Sequence, residues 1–94
     1  MVVAVMPAAR VIFHGRVQGV FFRANTRKKA FELGVRGWVR NLPDGTVEAF
    51  FEGSREQIMA IIDYCKNHQP YARVTKADIT WCDEQGHSGF EIRY

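Results

Sequence analysis

A chain of 94 residues that reads strand, helix, strand, strand, helix, strand and a short final strand predicts an α+β domain, with two helices covering one face of a single antiparallel sheet. Three observations carry that expectation. Length and an apolar fraction of 47% suit one small core and exclude both a second domain and an intrinsically disordered chain. Two segments repeat apolar residues at helical spacing, each as one stripe. The other apolar segments are short, β-rich and bounded by glycine and proline turns. Helices with a single apolar stripe must share one face of the sheet, which is the ferredoxin-like split βαβ sandwich.

In chain order, residues 10–15 set Val11 and Phe13 against Arg10, Ile12 and His14, as a half-buried strand does, and stop at Gly15. Phe22, Thr26, Ala30 and Leu33 then recur at helical spacing, and Gly34 suits a left-handed C-terminal cap. Residues 35–41 and 46–52 are β-rich and flank Leu42-Pro43-Asp44-Gly45, a strong turn signal, so they form a hairpin. Ser54 and Gln57 make a capping box. The stripe Ile58, Ile61, Ile62 and Cys65 follows, and the second helix closes at Lys66 and His68 before Pro70. Residues 74–83 place Ala77, Ile79 and Trp81 on one face of a long strand, and Phe90 and Ile92 alternate in the last one. Residues 1–9 are an apolar N-terminal extension that either continues the first strand or forms a loose arm; it lacks the basic start of a secretory leader. The domain proper is expected over residues 10–94.

Composition narrows the function classes. No run approaches the ~20 apolar residues of a membrane-spanning helix, so no membrane role is expected. Cys65 and Cys82 are too few for a disulfide scaffold and form no C-x-x-C pair, which points to the cytoplasm. Two buried free thiols are the favoured state; one pairing stays open if the helix end meets the strand end. Neither these cysteines nor the scattered His14, His68 and His87 have metal-ligand spacing, so no metal or cofactor is expected and the histidines read as incidental. The net charge of +3 is modest, but its distribution is uneven. Arg10, Arg16, Arg23, Arg27, Lys28 and Lys29 precede the first acidic residue, Glu32. On charge alone this is either an anion site or a solvated basic helix face.

Between the first strand and the first helix lies Gly15-Arg16-Val17-Gln18-Gly19-Val20, followed by Phe21, Phe22 and Arg23. Two glycines let such a loop turn tightly with its amides inward, and amides at a helix N-terminus bind phosphate oxygens. Arg23 adds a planar fork that matches two of those oxygens. On local pattern two readings stand, an anion cradle and an ordinary strand-to-helix turn, with Arg23 either the fork or a surface ion-pair residue. Asn41 ends the second strand, which reaches an end of the sheet related to that of the first strand, so it either approaches the cradle or simply shapes the turn. Gly37 and Trp38 read as structural, the one for backbone clearance and the other for covering the sheet.

Residues 15–23 fit G-x-V-Q-G-V-x-F-R at every fixed position, and residues 37–47 with Gly53 fit G-W/Y-V/A-x-N-x-x-x-G-x-V and its closing glycine. In these motifs the sequence resembles the acylphosphatase family, over residues 11–94. Phe21 stands at a variable position where many members have glycine. The resemblance implies hydrolysis of a small-molecule acyl phosphate to a carboxylate and inorganic phosphate, with no metal, cofactor or covalent intermediate. It implies that the cradle of Gly15, Arg16, Val17, Gln18, Gly19 and Val20, through its amides, holds the phosphoryl group together with Arg23, while Asn41 orients the attacking water. Inorganic phosphate would then be both product and competitor. A carboxylate leaving group needs little protonation, so positioning and charge stabilisation carry the reaction. The expected state is a monomer with no nucleic-acid partner.

Two rival classes compete with this reading. A nucleic-acid module of the same fold would use Trp38, Arg40 and Phe50 on the open sheet face, yet that strand lacks the glycine-aromatic consensus of RNA recognition motifs and carries Glu48 and Glu52. A regulatory or carbamoyl-phosphate role belongs to acylphosphatase-like domains of hydrogenase maturation proteins, which are parts of much longer chains. A free-standing enzyme is therefore the favoured expectation.

Overall fold

The computed structural model describes residues 6–94, which run β1 (Pro7–Arg16), α1 (Phe22–Leu33), β2 (Arg36–Asn41), β3 (Val47–Glu52), α2 (Arg55–Asn67), β4 (Arg73–Asp83) and β5 (Phe90–Arg93). The strands form one sheet in the order β4-β1-β3-β2-β5. β1 is antiparallel to both β3 and β4, and β2 is antiparallel to β3, as expected of the split βαβ arrangement. β5 departs from that pattern: it lies parallel to β2, with Gly37 opposite Phe90, so the sheet is mixed rather than wholly antiparallel. The reason is the short connection over residues 84–89. Leaving one end of β4, it must run along that end of the sheet to the far edge, and it can only enter β5 in the direction of β2.

The helices pack on one face. Alternation along the central strands sends Ala9, Val11 and Phe13 of β1 and Val47, Ala49 and Phe51 of β3 into the core, where they meet Phe22 and Ala30 of α1 and Ile58, Ile61, Ile62 and Cys65 of α2. Each large side chain removed from water there contributes about 1.5–3 kcal/mol. The capping box forms as the sequence predicts: Gln57 N–H donates to Ser54 Oγ at 3.1 Å while Ser54 N–H donates to Gln57 Oε1 at 2.7 Å. Gln57 Nε2 also reaches the Leu33 carbonyl at 2.9 Å, tying the start of α2 to the end of α1.

The opposite face is half covered. Arg10 and Arg40 both bond the buried Glu48 carboxylate, and Phe50 lies between a stacked Trp38 and an edge-on His87. Phe50 is only 3% exposed, so it offers no open ring for a nucleic-acid base. At the end of β3, Glu52 accepts N–H bonds from Gln85, Gly86 and His87 at 2.8, 3.1 and 2.9 Å and so pins the crossing connection.

Two expectations are adjusted. Residues 7–9 of the expected extension belong to β1, with Ala8 and Ala9 fully buried; residues 1–5, the remainder of that extension apart from Met6, lie outside the described residues. Cys65 is a buried free thiol as expected, but Cys82 is an exposed one, because β4 is an edge strand. Among the described residues no helix is long and apolar enough to cross a membrane.

Candidate active site

Strand direction decides what meets at the other end of the sheet. β1, β2 and β5 run the same way, so the β1–α1 loop, Asn41 and the chain beyond Arg93 converge there. The loop starts where the β1–β4 register shifts between His14 and Gly15. Gly15 has φ +115, and a Cβ on it would run into the Arg73 carbonyl, so only glycine lets the two backbones approach.

The loop is held by its apolar side chains and by one amide. Val17 and Val20 are buried, while Gln18 Nε2 donates to the carbonyls of Leu42 and Thr46, both at 2.8 Å. Both donors of that side chain are therefore spent on fastening the loop to the turn beyond Asn41. The turn itself is fixed by Asp44, whose carboxylate accepts from the Thr46 N–H at 2.9 Å and from its hydroxyl at 2.5 Å. These bonds, the hydroxyl's first, hold the Asp44 carboxyl below its ordinary range.

Phe21 closes the loop in a left-handed conformation, φ +60, and α1 then begins with no side-chain cap and no acidic residue in its first turn. An aromatic residue in that conformation costs about 1–2 kcal/mol relative to glycine. The uncapped first turn leaves N–H donors and the positive end of the helix dipole facing the cavity.

The cavity is about 290 Å³, lined by Val17, Gly19, Phe21, Phe22, Arg23, Ala24, Asn41, Ile92 and Tyr94. Of the residues singled out in the sequence, Val17, Gly19, Arg23 and Asn41 line it; Gly15, Arg16, Gln18 and Val20 do not, the first two standing exposed at the end of β1. Arg23 is positioned from β5: its Nη1 donates to the Arg93 carbonyl at 3.4 Å, and its guanidinium lies 4.9 Å from the centre of the Tyr94 ring. Asn41 is half-buried at the end of β2, and among the described residues no hydrogen bond engages its side-chain amide.

Among the described residues no Asp, Glu or His side chain lines the cavity. His14 pairs with Asp78 at 2.9 Å and His68 with Asp63 at 3.3 Å, while His87 lies beside Glu52, all away from it. Among the described residues no group of His, Cys, Asp and Glu is arranged to hold a metal ion. The arrangement can bind an anion by backbone donors and a guanidinium, and it can place a neutral amide beside that anion.

Sequence reasoning missed the contribution of β5, Ile92 and Tyr94, and that of Phe21. The alternation of Phe90 and Ile92 specifies a strand but not its edge, and Phe21 stands at a position that the motif leaves variable.

Comparison with known proteins gives a consistent result. The sequence model of the acylphosphatase family matches residues 9–92. An acylphosphatase of Thermoplasma volcanium is 59% identical over 70 residues, 74% of this chain and 78% of that one. An acylphosphatase of Natronomonas pharaonis is 52% identical over 85 residues, 90% of this chain and 92% of that one. The crystal structure of acylphosphatase from Bacillus subtilis superposes with a TM-score of 0.91 at 37% identity, covering 95% of this chain and all of that one.

Proposed function

The chain belongs to the acylphosphatase family, a family of acid-anhydride hydrolases, and from that premise we propose how its cavity hydrolyses the carboxyl-phosphate bond of an acyl phosphate. The phosphoryl group sits at the uncapped start of α1, held by amides of the loop over residues 16–20, of which Val17 and Gly19 line the cavity, and by the Arg23 fork. Asn41 orients a water against phosphorus. The water oxygen forms the new P–O bond as the bond to the acyl oxygen breaks, and the carboxylate leaves with that electron pair. With no Asp, Glu or His side chain among the described residues that line the cavity, the water proton passes to a phosphoryl oxygen, giving dihydrogen phosphate. Arg23 and the amides act by meeting charge that the transition state spreads over the phosphoryl oxygens.

The observation that carries this reading is that Gly19, Arg23 and Asn41 line one cavity at an uncapped helix N-terminus. Benzoyl phosphate hydrolysis in the presence of EDTA, with inorganic phosphate as competitor, tests it. Turnover should survive chelation and be inhibited competitively by phosphate; activity lost with EDTA and restored by a divalent cation would refute it. Arg23→Lys keeps the charge but cannot present two parallel donors, so it should lose about 100-fold or more in kcat/KM.

The same reading takes the protein as a cytoplasmic monomer whose partners are the acyl phosphate and phosphate, with neither nucleic acid nor membrane. The exposed thiol of Cys82 suits a reducing compartment, and sedimentation at micromolar concentration tests the monomer.

A further inference from the structure

Two aromatic residues beside the cavity are held by unfavourable backbone with their rings in water. Phe21 has φ +60 and is 72% exposed; Tyr71 has φ +68 and is 76% exposed. Around Tyr71 the Ala72 N–H donates to the Pro70 carbonyl at 2.9 Å, which with positive φ makes the strained form of a three-residue turn. Glycine would relax both positions, and neither ring is buried in the core, so folding gives no reason for either ring. Nevertheless they meet: the ring centres are 6.3 Å apart at 65°, an edge-to-face pair. Phe21 also lines the cavity that holds Arg23 and Asn41, and Tyr94 stands at that cavity over the Arg23 guanidinium.

We propose that Phe21, braced by Tyr71, is a specificity-determining residue that receives the acyl group, and that the preferred substrates are acyl phosphates with a planar aromatic acyl group. This rests on the acylphosphatase mechanism above. With the phosphoryl group at Arg23 and the loop amides, the acyl end projects away from them toward solvent, and the exposed aromatic side chains lining the cavity are Phe21 and Tyr94. A benzoyl group presents faces and edges for these rings; an acetyl group is too short to cover them. Strain at functional positions is retained where the surrounding structure and the ligand use it.

The test compares kcat/KM for benzoyl phosphate and acetyl phosphate in the parent, in Phe21→Gly, in Tyr71→Gly, and in Phe31→Ala, which removes an exposed aromatic of α1 outside this cavity. The parent prefers benzoyl phosphate. Phe21→Gly lowers the benzoyl-to-acetyl ratio by about three- to tenfold, as expected for one partly exposed aromatic contact, with the loss in KM rather than kcat. Tyr71→Gly lowers it by less, and Phe31→Ala leaves it at the parental value. Glycine adopts both positive φ values, so the variants fold, and an unchanged phosphate inhibition constant checks that the cradle is intact. An unchanged ratio in Phe21→Gly, or an equal fall for both substrates, overturns the acyl subsite while leaving the hydrolase reading in place. A parent that hydrolyses neither substrate overturns that reading and the subsite with it.

Discussion

Gln18 and Leu42 are joined by a 2.8 Å hydrogen bond from the side-chain amide of one to the carbonyl of the other, and the same amide reaches Thr46. The cradle loop and the turn next to Asn41 are thereby fixed to each other rather than merely to the sheet. Gln18→Ala should leave two carbonyls without this donor and cost about 1–3 kcal/mol of stability. Gln18→Glu should cost more, because a carboxylate faces those carbonyls with no proton to give. Both should lose about tenfold or more in kcat, since a shift of the water-positioning group relative to phosphorus is felt steeply. Urea denaturation and benzoyl phosphate kinetics on the same preparations check this; a stability loss with parental kcat would show that the bond serves folding alone.

The two thiols should behave oppositely. Burial pushes the Cys65 thiol up to about 11, against lowering hydrogen bonds from Thr26 and Gln69, whereas Cys82 is exposed. A disulfide reagent should therefore modify Cys82 in the native protein and Cys65 only in denaturant.

Cys65 also makes stability depend on alkaline pH. In the unfolded chain its thiol ionises near the ordinary 9.0, while the native protein holds the proton to about 11. The native state thus binds more protons in that window, so the contribution is complete below pH 9.0 and is lost as pH rises through the native value. Cys65→Ala should show a shallower alkaline fall in unfolding free energy than the parent, and identical slopes would show that other groups govern it.

Much of this was legible because local periodicity decides it. The stripe Ile58, Ile61, Ile62, Cys65 and the run from Phe22 to a left-handed Gly34 specify the helices without reference to the rest of the chain. Arg23 and Asn41 were legible for the same reason: each stands in a motif a few residues long. The parallel pairing of β5 was not, because nothing within its four residues says which edge it joins. That choice is made by the crossing over residues 84–89 and by Glu52, which in sequence is only an acid at a strand end. Ile92 and Tyr94 reach the site through that tertiary path, and Tyr71 comes from the turn before β4 to meet Phe21, so no local pattern announces them.

Glu52 is therefore a second place to test long-range control. Its carboxylate is fully buried and accepts three backbone N–H bonds from the crossing connection. Glu52→Ala should destabilise by about 3 kcal/mol or more, through three orphaned donors and a cavity. Glu52→Gln should cost less, because its amide oxygen can keep part of the set. Since β5 carries Ile92 and the Arg93 carbonyl that positions Arg23, the Ala variant should also raise the KM for benzoyl phosphate while folded. Hydrogen exchange at residues 85–92 should speed up in step with that rise; a KM that stays parental while exchange accelerates would separate the crossing from the site.

Asn41 gives the sharpest contrast between two substitutions. Its backbone is fixed by pairing with Val47, and its side-chain amide is engaged by no described partner, so replacing it should leave the fold and the cradle in place. Its proposed work is to hold a water against phosphorus, which a neutral amide suits because it offers a donor and an acceptor together. Asn41→Ala should keep the inhibition constant of inorganic phosphate close to the parent while kcat falls about 100-fold or more, the pattern of an interaction made in the transition state. Asn41→Asp retains an acceptor but brings a negative charge beside the phosphate site, and two like charges at ~4 Å repel by about 1 kcal/mol even in water. That variant should lose turnover and also bind phosphate several-fold more weakly, with the weakening reduced at high salt. A thermal melt on each protein separates folding from chemistry. Folded Asn41→Ala turning over benzoyl phosphate at close to the parental rate would place the water under the control of another group.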